Sequence, residues 1–214
     1  MRFNKKAALE LSITAIVVLI IAITVLGLGI GFIKKQFGAG TQLVEKEISN
    51  IKEQLKEQVR TGGELLVFSV PEQVAIGKPQ GVVIGVRNTA QSASSDRICF
   101  RAEVKCIKPF TPGAQCVSDV TGPVAVGGYD FENKDFVGSA HNWFKSILGE
   151  FDLKSFEGDV FDAVMLVRSV KPDSYQMEIN VYKAIDDKDC GSSPDFGEKA
   201  NSLYASKSFI LNLV

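Results

Sequence analysis

The sequence predicts an α+β chain in which a long N-terminal membrane and stalk helix is followed by an antiparallel β-sandwich. Three observations predict it. The run from Ala7 to Ile33 is apolar and interrupted only by Glu10, the stretch Thr41 to Arg60 carries apolar residues at spacings of three and four, and from Glu64 onward the apolar period falls to two. The 214 residues leave room for the helix and one folded domain of ordinary size. The chain thus divides into a basic leader at 1–7, a transmembrane or filament-core helix at 8–35, an amphipathic stalk helix at 41–61 and a β-sandwich at 64–214.

About 20 apolar residues at a 1.5 Å rise cross a hydrocarbon core of roughly 30 Å, and Leu11 to Ile33 supplies them. Arg2, Lys5 and Lys6 precede the run and Lys34 and Lys35 follow it, so the charge comparison across the helix is weak. A short basic N-terminus inside the cell and a cysteine-bearing β domain outside is the consistent orientation. Gly27 and Gly31 lie one turn apart, the small-residue spacing that lets helix backbones approach closely. Glu10 is costly beside hydrocarbon unless it has a partner or lies near the interface. In the next stretch Val44, Ile48, Ile51, Leu55 and Val59 form one apolar stripe, and Gly62 and Gly63 end the helix.

Strands are expected at Leu65–Val70, Val82–Val86, Ile98–Cys106, Cys116–Val120, Val160–Val170, Tyr175–Ile185 and Lys207–Val214. About seven short strands separated by turn-rich stretches argue for a sandwich. The insert Ser139 to Leu148 has an N-cap and places Trp143, Phe144, Ile147 and Leu148 at helical spacing, so it predicts a turn of helix with Trp143 in the core.

The four cysteines, Cys99, Cys106, Cys116 and Cys190, all follow the helix, and none has CxxC spacing. With one histidine, His141, a metal site is not expected, and an even count predicts disulfides, four buried reduced thiols being the alternative. Cys106 and Cys116 are close enough to staple a hairpin, which leaves Cys99 for Cys190, although spacing alone does not fix the connectivity. No GxSxG, HExxH or phosphate-binding glycine loop occurs, so no catalytic residues, no cofactor and no enzymatic activity are expected. Asp130, Glu132, Asn133 and Asp135, and separately Asp186, Asp187 and Asp189, offer oxygen ligands but lack calcium-loop spacing. A net charge of −1 with interspersed signs predicts no nucleic-acid partner.

The segment Lys5-Lys6-Ala7-Ala8-Leu9-Glu10-Leu11 places a basic pair and small residues before the apolar run, the reverse of a secretory signal peptide. It resembles the class III signal peptide of archaeal type IV pilins. The resemblance implies cleavage after Lys6-Ala7, so that Ala8 becomes the N-terminus, with Glu10 third in the mature chain, or fourth after a cut at Lys6, where the family's acidic residue is fifth. It also implies a prepilin peptidase and an assembly ATPase as partners. Farther on, Leu66-Val67-Phe68-Ser69-Val70-Pro71, Ile76-Gly77-Lys78-Pro79 and Val82–Asn88 resemble the opening strands of Ig-like modules of the cell-adhesion-related kind.

The expected function is therefore a structural subunit of an archaeal pilus-like surface filament. Its N-terminal helix packs against copies of itself, with Glu10, Gly27 and Gly31 in the packing, and its β head faces outward for adhesion. The alternative is a single-pass membrane-anchored protein whose Ig-like ectodomain binds a surface ligand without polymerising. Expected localisation is the cell membrane, with a cytoplasmic N-terminus and an extracellular C-terminal domain, or an extracellular filament after processing.

Overall fold

A computed structural model describes residues 15–27, 52–90, 96–145 and 149–214. The chain divides into two compact units, Met1–Lys46 and Glu47–Val214. In the first unit, residues 15–27 form helix α1. The second begins with helix α2, residues 52–61, and continues into eleven strands: β1 (Leu66–Ser69), β2 (Gln73–Val74), β3 (Gln80–Arg87), β4 (Arg97–Pro109), β5 (Val124–Asp130), β6 (Asp135–Phe136), β7 (Phe144–Lys145), β8 (Glu150–Lys154), β9 (Gly158–Met165), β10 (Asp173–Lys183) and β11 (Leu203–Leu213). A short helix α3, Lys199–Ser202, precedes β11.

Alternation along the strands dictates two layers. Val82, Ile84 and Val86 of β3 share one buried core with Ile98, Phe100, Ala102 and Val104 of β4 and Met177, Ile179 and Val181 of β10. Each such side chain contributes about 1.5–3 kcal/mol on full burial. Strand pairing runs β1–β3–β9 in one layer and β5–β4–β10–β11 in the other, antiparallel throughout. The layers meet at Phe68 and Phe209, whose rings are 5.0 Å apart, and at Phe151 and Phe161, 4.8 Å apart. Among the seven principal strands, the first, second and fifth form one sheet and the fourth, third, sixth and seventh the other. That is the A-B-E and C′-C-F-G order of an Ig-like sandwich. Tyr175, early in β10, donates its hydroxyl to the Lys171 carbonyl at 2.9 Å, the corner found at the start of the sixth strand in such folds.

Helix α2 covers the outer face of the β1–β3–β9 layer. Leu55 and Val59 are buried with Val67, Val83 and Val160. Val59 enters a notch made by two glycines: a Cβ on Gly85 would lie 2.5 Å from its Cγ2, and one on Gly158 would lie 2.4 Å from its Cγ1. Both distances are impossible contacts, so glycine is required at each position for the helix to dock. Lys52 adds a 2.5 Å ion pair to Asp162, and that hydrogen bond holds the Asp162 carboxyl below its ordinary range.

Several expectations are corrected. The fold class is mostly β rather than α+β with a long N-terminal helix. Among the described residues no helix is long and apolar enough to cross a membrane. The expected single-pass localisation is not supported for the same reason. Among the described residues no long stalk helix is found: α2 covers residues 52–61, and Leu55 and Val59 of the expected stripe pack on the sandwich, while the remainder of 41–61 lies outside the described residues. Cys116–Val120 is not a strand but an isolated bridge between Val117 and Val120. The expected helix at 139–148 is instead strand β7, which pairs with both β5 and β9, although Trp143 is in the core as expected. Residues 146–148 lie outside the described set.

Docking through the notch predicts a specific coupling. Val59→Ala is expected to cost about 2 kcal/mol through lost burial and a residual cavity. Gly85→Ala should cost about 1–3 kcal/mol by forcing Val59 out. Urea unfolding of the double variant should give a loss smaller than the sum of the two by about 1 kcal/mol or more, since the added methyl then fills the space that Val59 leaves.

Candidate functional site

The chemistry of the head concentrates on the outer face of the β4–β10 layer. Along β4 the residues that alternate with the core set are Cys99, Arg101, Glu103 and Lys105. Strand pairing places Arg101 opposite Tyr182 and Glu103 opposite Asn180. The β5–β6 hairpin brings Phe131 over this face, and the segment 190–199 brings Phe196 and Lys199. These two coverings turn an outward strand face into a second, partly polar interior.

Glu103 is fully buried. A charged carboxylate persists there only with its charge and lone pairs answered. Tyr182 donates its hydroxyl to one oxygen at 2.8 Å and the Phe131 backbone N–H donates to the other at 3.2 Å. The Lys199 ammonium is 3.1 Å away and the Lys105 ammonium 3.8 Å, the latter also bonded to Glu132 at 2.5 Å. Burial, and then the Glu103 charge, push the Tyr182 hydroxyl far above the ordinary tyrosine range. Burial opposes the charge on Lys105, but its bond to Glu132 and the charges of Glu103 and Glu132 outweigh that and raise it. The Phe131 and Tyr182 rings lie 3.8 Å apart, closing the centre from above.

Beside this centre Arg101 is held between two rings, its guanidinium carbon 4.2 Å from the centroid of Tyr129 and 4.1 Å from that of Phe196. Its Nε donates to Glu150 at 2.7 Å. A cleft of about 380 Å³ opens here, bordered by Tyr129, Phe131, Phe196, Lys134 and Lys199. Aromatic faces with adjacent cations make a surface suited to recognition.

Both disulfides anchor β4. Cys99 joins Cys190 across 91 residues, tying the 190–199 segment over the face, and Cys106 joins Cys116 across 10 residues at the other end of the strand. Loop-closure entropy makes these worth about 4–5 and about 3 kcal/mol. Cys99, Asp152 and Cys190 place ligand atoms within 4.8 Å of one another. Both sulfurs are committed to the disulfide, however, and Asp152 accepts the Cys190 N–H at 2.8 Å, so the group offers no thiolate to a metal. Asp130 accepts the N–H groups of Glu132 and Asn133 and so shapes the β5–β6 turn. Asp186 and Asp187 pair with Lys188 and Lys183.

Of the residues singled out from sequence, Lys5, Lys6, Ala7, Ala8, Glu10 and Gly31 lie outside the described residues. Gly27 is the last described residue of α1, and a Cβ there would meet nothing within 4 Å. The large apolar residues of α1 from Ile16 to Leu26 are all 49–64% exposed. Residue order alone does not reveal the buried centre at Glu103 and Tyr182 or the Arg101 face beside it. Its one sequence signal is the alternation Arg101-Glu103-Lys105 on a strand whose other face is pure core.

Removing the Tyr182 hydroxyl tests the centre. Tyr182→Phe should cost about 1–3 kcal/mol at pH 7, because it leaves a buried carboxylate short of a donor. Since Tyr182 titrates higher in the folded chain than in the unfolded one, the unfolded chain sheds this proton first. Stability therefore falls as pH rises above about 10, by up to about 1.4 kcal/mol per unit for this group. Denaturant titrations between pH 9 and 11 should show a shallower fall in Tyr182→Phe than in the parent.

No family model matches the chain, and no curated protein matches it. Among solved structures it is similar to a superoxide reductase (neelaredoxin) from Ignicoccus hospitalis, at 8% identity over 71% of this chain and 81% of that one, with a TM-score of 0.35. It is similar to a CARDB domain from Pyrococcus furiosus solved with di-metal ions, at 12% identity over 70% and 85% of the two chains and a TM-score of 0.33. An ASH, PapD-like domain of a human protein matches at 9% identity over 70% and 83%, also with a TM-score of 0.33. Likenesses at this level carry no argument about activity, and the Ig-like assignment rests on the chain's own strand order and core.

Proposed function

We propose that the chain is a structural and binding protein, a pilin-like filament subunit whose α1 segment packs against copies of itself while the Ig-like head recognises a partner. The role is recognition and assembly, not catalysis. The observation that carries this reading is α1. Every one of its residues is exposed, and the large ones are apolar on all sides, whereas a helix apolar all round is a helix meant for burial. Each large apolar residue covered contributes about 1.5–3 kcal/mol, so a few per subunit suffice for cooperative assembly. The resemblance of Lys5 to Ala8 to a class III leader adds a prepilin peptidase and an assembly ATPase as partners. The head supplies the aromatic and cationic face around Arg101 for adhesion.

Assembly is tested by removing detergent from the purified full chain and following particle length by light scattering and negative-stain microscopy. The parent should form elongated polymers. A variant with Ile16, Leu19, Ile20 and Ile23 changed to Gln should remain monomeric while its head keeps the parent's thermal midpoint. A parent that stays monomeric throughout contradicts the proposal.

A further inference from the structure

Helix α2 and the turn between β8 and β9 enclose a cleft of about 550 Å³, within the range of about 300–1,000 Å³ typical of small-ligand sites. Four cations line it. Lys56 and Arg60 are one turn apart on α2, Arg87 ends β3 and Lys154 ends β8. Among the described residues none of the four is in an ion pair. Arg87 is nonetheless fixed, because its Nη1 donates to the Gly62 carbonyl at 2.5 Å beside the end of α2.

The turn contributes an aromatic ring held under strain. Phe156 has φ of +60° and is 64% exposed, an arrangement that offers a bulky residue neither backbone comfort nor burial. The turn itself is firmly tied. The Glu157 N–H donates to the Lys154 carbonyl at 3.1 Å, and the Lys154 N–H donates back to the Glu157 carboxylate at 3.1 Å. Buried Asn88 donates its backbone N–H to the Glu157 carbonyl at 2.7 Å and its side-chain amide to the Lys154 carbonyl at 3.1 Å. Glycine takes the third position of such a turn most easily, yet this chain presents a phenyl ring there, at the edge of a cationic cleft.

We infer that this cleft binds an acidic saccharide, with the ring of Phe156 as a platform for a sugar face and Lys56, Arg60, Arg87 and Lys154 pairing with its uronate or sulfate groups. Glu157 and Asp159 also line the cleft. Their carboxylates accept hydrogen bonds from sugar hydroxyls but repel closely spaced phosphates, which favours a saccharide over a polyphosphate or nucleic-acid chain. The site lies apart from the Arg101 face and does not depend on self-assembly. It does require α2 to be docked, since Lys56 and Arg60 flank the buried Val59 on that helix.

The test uses the full chain in a mild non-ionic detergent and fluorescein-labelled oligogalacturonate, with neutral dextran oligomers and polyphosphate of equal length as competitors. Binding by fluorescence anisotropy should be displaced at least tenfold more weakly by dextran and by polyphosphate than by unlabelled oligogalacturonate. Lys56→Gln combined with Arg60→Gln should weaken binding tenfold or more. Phe156→Gly should also weaken it about tenfold while leaving the thermal midpoint unchanged or higher, because the strain is relieved. Absence of binding to both oligogalacturonate and a sulfated oligosaccharide overturns the inference. So does displacement by polyphosphate at equal strength together with unaltered binding by Phe156→Gly, which would reduce the site to unspecific charge.

Discussion

Everything on the head depends on strand β4 being buried on both of its faces. Its inner residues, Ile98, Phe100, Ala102 and Val104, form the middle of the sandwich core. Its outer residues include Cys99 and Glu103, which are equally inaccessible. An outer strand face of a two-layer sandwich normally meets water, so something has to cover it. The Cys99–Cys190 disulfide does this by pinning the 190–199 segment, and the β5–β6 hairpin does it by laying Phe131 on Tyr182. The buried carboxylate of Glu103 then ties both coverings together, through the Phe131 N–H, the Tyr182 hydroxyl and the Lys199 ammonium. Breaking one partner leaves a charge without compensation, which makes this centre a cooperative unit.

The opposite layer solves the same problem by different means. Its outer face is covered by α2, and complementarity is set by shape, with Val59 seated between Gly85 and Gly158. The two coverings produce two kinds of surface. Over β4 the result is an aromatic and cationic face around Arg101, and over β3 and β9 it is the basic cleft edged by Phe156. Binding surfaces on this head are thus made at the seams between the sandwich and the pieces that cover it.

Much of this architecture was legible from residue order. Alternation in Val82–Val86 and Ile98–Cys106 gave two central strands with the correct inward residues, because a half-apolar strand has only one favourable orientation. An even number of cysteines beyond the apolar run gave disulfides. The aromatic spacing of the insert around Trp143 suits a helix, yet Phe144 and Lys145 are recruited as β7 to bridge β5 and β9, a tertiary constraint that no local pattern carries. Glu103 was unreadable as buried, since Tyr182 lies 79 residues away in the chain and alternating charges on a strand otherwise signal a wet face. Hydropathy alone points to a membrane-crossing N-terminal helix, whereas among the described residues no helix is long and apolar enough to cross a membrane.

The central claim is that α1 is covered by copies of itself. It is tested most directly by placing a photoreactive benzoylphenylalanine at Leu19, irradiating the full chain after detergent removal, and mapping the adducts by mass spectrometry of peptides from mixed light and heavy isotope-labelled chains. The account predicts adducts that join α1 of one chain to α1 of another. Adducts confined to single chains, or to detergent alone, would contradict it.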